Sequence, residues 1–114
     1  LVILPQILEH VPDPVALLDE ITRILVPGGS VVASVRNADS AYGELWRAEE
    51  SKAQVPNQGP FMPLSATDVA AWFAARFDID QEVGIGIDAT GDAHVMTGDA
   101  CYSGRLYAVR GILV

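Results

Sequence analysis

The feature that most constrains the fold is a strand–helix–strand pattern at the start of the chain. Residues 1–4 (LVIL) form an apolar run that is typical of a strand buried on both faces of a parallel sheet. Asp13 and Pro14 fit an N-cap and a first helical position, and the Pro-Gly-Gly of residues 27–29 ends that helix. The β-branched run of residues 31–35 then predicts a second buried strand. We therefore expect a parallel strand pair that is joined by a right-handed crossover.

The rest of the chain predicts two more helices and two more strands. Residues 39–52 carry apolar side chains at helical spacing, and a proline-containing crossing follows. Ser65 and Asp68 have the spacing of a capping box at the start of the next helix. Alternating apolar residues over 77–87 predict a half-buried strand, residues 88–100 a loop, and residues 105–113 a last strand. Because that loop is too short for a helical crossover, the last two strands can pair antiparallel.

Composition limits the classes of function. The chain has 114 residues, enough for one core, and its net charge of −8 disfavours nucleic acid as a partner. Every apolar run is shorter than the roughly 18 residues of a membrane span, so we expect no membrane insertion. A single cysteine, Cys101, cannot form an internal disulfide, which favours a cytoplasmic location. The chain begins with Leu1 inside an apolar run, and we expect upstream residues to be missing.

Two segments of the strand–helix–strand unit carry a family resemblance. Residues 7–14 (ILEHVPDP) and 23–29 (RILVPGG) resemble the region after the fourth strand of class I S-adenosylmethionine-dependent methyltransferases that act on small molecules. The resemblance implies an α/β fold, the C-terminal half of a Rossmann-like seven-stranded sheet. Strands four to seven of the order 3-2-1-4-5-7-6 would be present, with the last strand antiparallel. Residues 1–114 would then be a single partial domain that lacks the N-terminal cofactor-binding half, including its Gly-rich turn.

The same resemblance implies where S-adenosylmethionine would bind. Leu4, Pro5 and Gln6, at the end of the fourth strand, would lie beside the methionine part of the cofactor. His10 would point into the same crevice and is a weak candidate for a general base. The alternative interpretation of His10 is a turn residue that satisfies local backbone groups.

The acceptor side is predicted from the end of the next strand. Arg36 and Asn37 stand at the carboxyl edge, where open α/β sheets bind their ligands. Asn37 also fits a residue that caps the following turn, and this alternative is favoured. Tyr42 fits part of a lid over the acceptor, although an aromatic residue at helical spacing is more often core. The acidic residues and His94 of the loop at 88–100 match no metal-binding spacing, so we predict no metal site.

Three functions are consistent with these features. The favoured one is methylation of a small-molecule acceptor by a complete domain of which this chain is half, the isolated chain being inactive. The second is methylation of an RNA nucleoside, which the acidic charge disfavours. The third is a non-catalytic remnant or assembly module with an exposed strand edge. If the chain is a fragment of a larger domain, we expect residues 1–4 to be covered by the missing half or by a partner chain.

Overall fold

The computed structural model describes residues 1–40, 62–87 and 90–114 of the chain. These residues form one mixed sheet with the strand order β1-β2-β5-β3-β4 and two α-helices. The strands are β1 (Val2–Pro5), β2 (Ser30–Arg36), β3 (Asp78–Ile87), β4 (Ala93–Met96) and β5 (Leu106–Ile112). The helices are α1 (Pro14–Ile24) and α2 (Ala66–Ala74), and short 3-10 helices span Leu8–His10 and Gly98–Ser103. No helix in these ranges has the length and apolar character that crossing a membrane requires.

The strand pairing confirms the predicted fold class. β1 and β2 are parallel, with Val2 opposite Val31, and α1 is the crossover between them. β5 lies between β2 and β3 and is antiparallel to both. The order β1, β2, β5, β3 agrees with the order 4-5-7-6 that the resemblance implies for the second half of the sheet. The predicted helix over residues 39–52 lies outside the described residues.

Local sequence signals explain the ends of the helices. Oδ1 of Asp13 accepts a hydrogen bond from the N–H of Ala16 at 3.0 Å, the predicted N-cap of α1. Gly28 follows the helix with a φ of 82°, a left-handed conformation that glycine adopts without steric cost. Oγ of Ser65 accepts from the N–H of Asp68 at 3.1 Å and caps α2.

The surface ion pairs of α1 do not follow from helical spacing alone. Asp19 and Arg23 stand four residues apart, a spacing that allows an ion pair across one turn of α1. Arg23 instead pairs with Glu20, and Asp19 pairs with Arg76, which follows α2, at 2.7 Å. The long-range pair therefore links the two helices, a contact that spacing within one helix could not reveal.

The core lies on one face of the sheet. Both helices pack there, and their buried side chains form one cluster with those of β2 and β5: Leu18, Ile21, Val31, Ala33, Val35, Val69, Phe73, Tyr107 and Val109. The prediction that the first two strands are buried on both faces is wrong for the described chain. Ile3 is 62% exposed and Val32 is half-buried, because the two described helices cover the opposite face.

An irregularity in β3 turns its apolar residues to different faces. The register between β3 and β5 shifts between Ile79 and Gln81, where the alternation of apolar residues in the sequence also breaks. Ile79 packs against the core, whereas Ile85 and Ile87 line a cavity on the other side. The bulge therefore supplies apolar side chains to the face that the helices leave open.

The loop predicted over residues 88–100 contains a strand. β4 pairs antiparallel with the end of β3, with His94 opposite Gly86. The imidazole of His94 lies across Gly86, and a Cβ on that glycine would approach the ring to 2.7 Å. The prediction failed because β4 is exposed along most of its length and lacks the apolar alternation that marks a half-buried strand.

Candidate functional site at the carboxyl edge

The carboxyl ends of β1, β2 and β3 meet the beginning of β5 at one edge of the sheet. A cavity of about 410 Å³ opens there, and six described residues line it: Gln6, Arg36, Ile85, Ile87, Arg105 and Leu106. Open α/β sheets bind their ligands outside this edge. The cavity therefore defines the candidate site.

Gln6 makes the sharp exit from β1. Its φ of 51° is left-handed, and it is the one described non-glycine residue with a positive φ. Its N–H donates to the carbonyl oxygen of Ser34 at 2.8 Å, which continues the pairing between β1 and β2 one residue past the strand. Non-glycine residues in this conformation are strained and cluster at functional sites. The strained residue is thus one of those that the resemblance places beside the cofactor, and its contact with the cofactor stays a prediction.

The other predicted cofactor-side residues surround Gln6 without lining the cavity. Leu4 points to the helix-covered face and packs against the core, and Pro5 is exposed. His10 is half-buried at the end of the 3-10 helix, and its N–H donates to the carbonyl oxygen of Ile7 at 2.9 Å. This contact is made by the backbone and does not depend on the side chain, so both interpretations of His10 stay predictions.

Glu9 is a buried carboxylate that sequence reasoning left without a role. Its side chain is fully inaccessible to solvent. Oε2 accepts from the backbone N–H of Arg36 at 2.9 Å, and Oε1 lies 4.0 Å from Nε of Arg36 but has no hydrogen-bond partner. Burial raises the pKa of Glu9, and the N–H of Arg36, its guanidinium charge and His10 offset this only in part. Glu9 thus ties the turn after β1 to the last residue of β2.

Asn37 is buried, and both the nitrogen and the oxygen of its side-chain amide form hydrogen bonds. Its Nδ2 donates to the carbonyl oxygens of Tyr102 at 2.7 Å and Gly104 at 3.0 Å. Its Oδ1 accepts from the N–H groups of Ala66 at 3.0 Å and Asp39 at 3.1 Å. The favoured interpretation of Asn37 as a residue that caps the following backbone agrees with these contacts. Tyr42, the third predicted acceptor-side residue, lies outside the described residues.

Arg105 joins Arg36 at the cavity, although sequence reasoning gave it no role. It directly precedes β5, and because β5 is antiparallel to β2, the start of β5 lies beside the end of β2. The N–H of Asn37 donates to the carbonyl oxygen of Arg105 at 2.9 Å. The signal that could have found Arg105 is its place at the start of the last, antiparallel strand.

A tyrosine pair anchors the segment that leads to Arg105. The hydroxyl groups of Tyr102 and Tyr107 both donate to the carboxylate of Glu82, from Tyr102 at 2.7 Å and from Tyr107 at 2.5 Å. The hydrogen bond to Glu82 and burial raise the pKa of Tyr102 to about 12, and burial and its own hydrogen bond to Glu82 also raise the pKa of Tyr107. Both hydroxyls therefore stay protonated donors, which fixes the 3-10 helix before Arg105 against β3.

Comparisons with known proteins agree with this geometry. Residues 1–33, which form β1, α1 and the start of β2, match a family model described as a methyltransferase domain. No curated protein matches the chain in sequence.

Two solved structures share the fold. One is an S-adenosylmethionine-dependent methyltransferase from Thermotoga maritima, described as a possible histamine N-methyltransferase. It is 19% identical over 98% of this chain and 55% of its own, with a TM-score of 0.74. The other, an S-adenosylmethionine-dependent methyltransferase from Methanosarcina mazei, is 16% identical over 98% of this chain and 57% of its own, with a TM-score of 0.62. The chain spans little more than half the length of either structure. Residues 1–33 thus match a methyltransferase domain, and the chain shares the fold of these two methyltransferases, which is the fold that the resemblance implies.

Proposed function

We propose that this chain supplies half of the active site of an enzyme that transfers a methyl group from S-adenosylmethionine to a small-molecule acceptor. The cavity at the carboxyl edge carries this proposal, because it opens next to the turn at Gln6, inside the segment that matches the methyltransferase domain. When bound, the sulfonium group supplies an already activated methyl group. The protein's main contribution is then to align donor and acceptor.

The residues present fit one side of such a site. The cavity of about 410 Å³ falls within the range of small-molecule pockets, about 300–1,000 Å³. The left-handed Gln6 exposes the end of β1 to that cavity. The sequence has no Gly-rich turn between a strand and a helix that could cradle the nucleotide part of the cofactor. The chain therefore fits the methionine end of the cofactor and the acceptor, and needs a second half for the rest.

The proposed roles follow the order of the residues along the edge. Gln6 contacts the cofactor, and Leu4 and Pro5, which precede it at the end of β1, hold Gln6 in place beside the methionine part of the cofactor. His10, in the next turn, lies on the same side. Arg36 faces the acceptor, and Asn37 positions the backbone around it. Tyr42 contributes to a lid over the acceptor.

We further propose that the missing half covers β1 and the open face of the sheet. β1 is an edge strand in the described chain, and Leu1 is 76% exposed. An apolar edge of this kind pairs readily with another strand and promotes aggregation when bare. The cover of β1 is a further set of strands of the same domain, or a partner chain. We also propose that the complete enzyme is cytoplasmic.

Nuclear magnetic resonance with S-adenosylmethionine tests the proposal on the purified chain. We expect weak binding that shifts the amide signals of Gln6, His10 and Arg36, since half of a site keeps part of its contacts. Gln6→Ala should weaken the binding severalfold. Gln81→Ala, the same substitution at an exposed position toward the other end of the sheet, is the matched control and should change nothing. If no signal at the edge responds, the interpretation as a non-catalytic assembly module is favoured instead.

A further inference from the structure

The candidate cavity continues into a smaller one along the carboxyl edge. The second cavity, of about 170 Å³, shares Ile87 and Arg105 with the first. Ser40, His94 and Ser103 add polar groups to it. Among the described residues, no carboxylate lines either cavity. The edge is therefore a continuous groove without an acidic side chain in its described walls.

Among the described residues, the charged side chains that line this groove are positive, whereas the chain as a whole is negatively charged. The chain has 15 acidic and 7 basic residues. Three of the five described arginines, Arg23, Arg76 and Arg110, pair with surface carboxylates away from the edge. The other two, Arg36 and Arg105, both line the cavity. An acidic protein thus places two guanidinium groups around one concave site, which favours an anionic ligand.

The walls between the arginines are apolar. Ile85, Ile87 and Leu106 supply side chains that can contact a hydrocarbon body. A guanidinium group presents its N–H donors as a planar fork that matches a carboxylate with two parallel hydrogen bonds. Glu9, 4.0 Å from Nε of Arg36, offsets part of that arginine's charge.

We propose that the groove recognises an acceptor in which a carboxylate is attached to an apolar body. Arg105, with Arg36, binds the carboxylate, and the isoleucine and leucine side chains hold the body. This inference rests on the proposed function and names the class of acceptor. Arg36 and Arg105 also interact with other groups of the chain, so a ligand would bind these arginines in addition to those contacts.

Three probes with one apolar body test this class of acceptor. 3-Phenylpropanoate, 3-phenylpropanamide and 3-phenylpropylamine differ in charge at a single end, and each is titrated into the purified chain by nuclear magnetic resonance. We expect the carboxylate to bind about tenfold more tightly than the neutral amide, and the ammonium compound to bind most weakly. The shifted signals should belong to Gln6, Arg36, Arg105 and Leu106.

Variants show whether the groove causes this preference. Arg105→Gln and Arg36→Gln should each reduce it. Arg23→Gln removes the same charge from an exposed arginine on α1 and should leave the preference intact. Equal affinities for carboxylate and amide, no binding of any probe at millimolar concentration, or an unchanged preference in Arg105→Gln would each overturn the inference.

A separate titration distinguishes this inference from the proposed function. A chain that responds to S-adenosylmethionine but shows no preference for the carboxylate keeps the methyltransferase proposal and loses the acceptor class. A chain that prefers the carboxylate but shows no response to S-adenosylmethionine has an anion site outside methyl transfer.

Discussion

The two faces of the sheet differ sharply in burial, although both carry apolar side chains. On one face, α1 and α2 bury Val31, Val35 and Tyr107 completely. On the other, Val32 and Ile85 remain half-exposed and line cavities. The covered face provides the stability of the described chain, whereas the open face and its carboxyl edge provide surface for ligands and for a covering partner. Substitutions on the two faces should therefore have different consequences.

The largest effect is expected at the centre of the covered face. Phe73 on α2 is fully buried and stacks against Phe77, with ring centroids 5.4 Å apart. Phe73→Ala should lower the free energy of unfolding by about 3–5 kcal/mol, through lost apolar contacts and a residual cavity. Urea unfolding measures this loss.

Ile3→Ala is the control on the open face and should cost less than about 0.5 kcal/mol in the isolated chain, because Ile3 is largely exposed. Equal losses at Phe73 and Ile3 would mean that the open face is already covered in solution, for example by a second copy of the chain.

The second effect is expected at Asn37, where the covered face meets the edge. Asn37→Ala removes a donor to one buried and one partly buried carbonyl group and an acceptor for two N–H groups, so it should cost about 2–3 kcal/mol. Asp39→Ala, at the exposed neighbour, should change stability by less than about 0.5 kcal/mol. If Asn37→Ala keeps the stability of the chain but loses affinity for the acceptor, the acceptor-side interpretation of Asn37 is correct and the structural one is wrong.

Local signals made the covered face predictable. The cap at Asp13, the glycine after α1 and the β-branched run of β2 are adjacent in sequence to the structures that they specify. The edge was predictable only in outline. The roles of Glu9, Asn37 and Arg105 depend on partners more than 25 residues away in the chain. The resemblance predicted the position of the edge but not these contacts.

The bulge in β3 and the strand β4 show a second limit. Alternation over residues 77–87 predicted one apolar face, but the shift at Ile79 divides it between both faces. β4 is exposed, so no apolar pattern marks it. Hydrophobic periodicity reports burial, and it therefore predicts least on the open face, where burial depends on residues outside the described chain.

The third effect depends on pH and concerns the buried carboxylate at the edge. Burial raises the pKa of Glu9 in the folded chain, so folding favours its protonated form. This contribution to the free energy of unfolding is fully present below the pKa that Glu9 has in the unfolded chain. It is lost as pH rises through the raised pKa of Glu9 in the folded chain. Glu9→Gln, which keeps the shape without the charge, should therefore gain stability relative to the parent as pH rises from about 4 to 7. At neutral pH we expect a gain of about 1 kcal/mol in urea unfolding.

Glu20→Gln is the control for this trend. Its hydrogen bond with Arg23 lowers the pKa of the exposed Glu20, so the parent should gain stability over this variant as pH rises. If the parent instead gains stability over Glu9→Gln as pH rises, as it should over Glu20→Gln, then the ion pair with Arg36 dominates over burial. The carboxylate would in that case be an anchor for Arg36 in its charged form.

The last effect, of about the same size, tests whether α1 depends on its cap or on the core beneath it. Asp13→Ala removes the acceptor for the N–H of Ala16 and should lower the free energy of unfolding by about 1 kcal/mol, whereas Asp13→Ser should restore most of it. Thermal unfolding of the three proteins measures the difference. An unchanged melting temperature in Asp13→Ala would mean that Leu18 and Ile21, packed on the covered face, hold the helix without its cap. The stability of the crossover between β1 and β2 would then come from the buried face alone, and the Asp-Pro signal would mark the start of the helix without stabilising it.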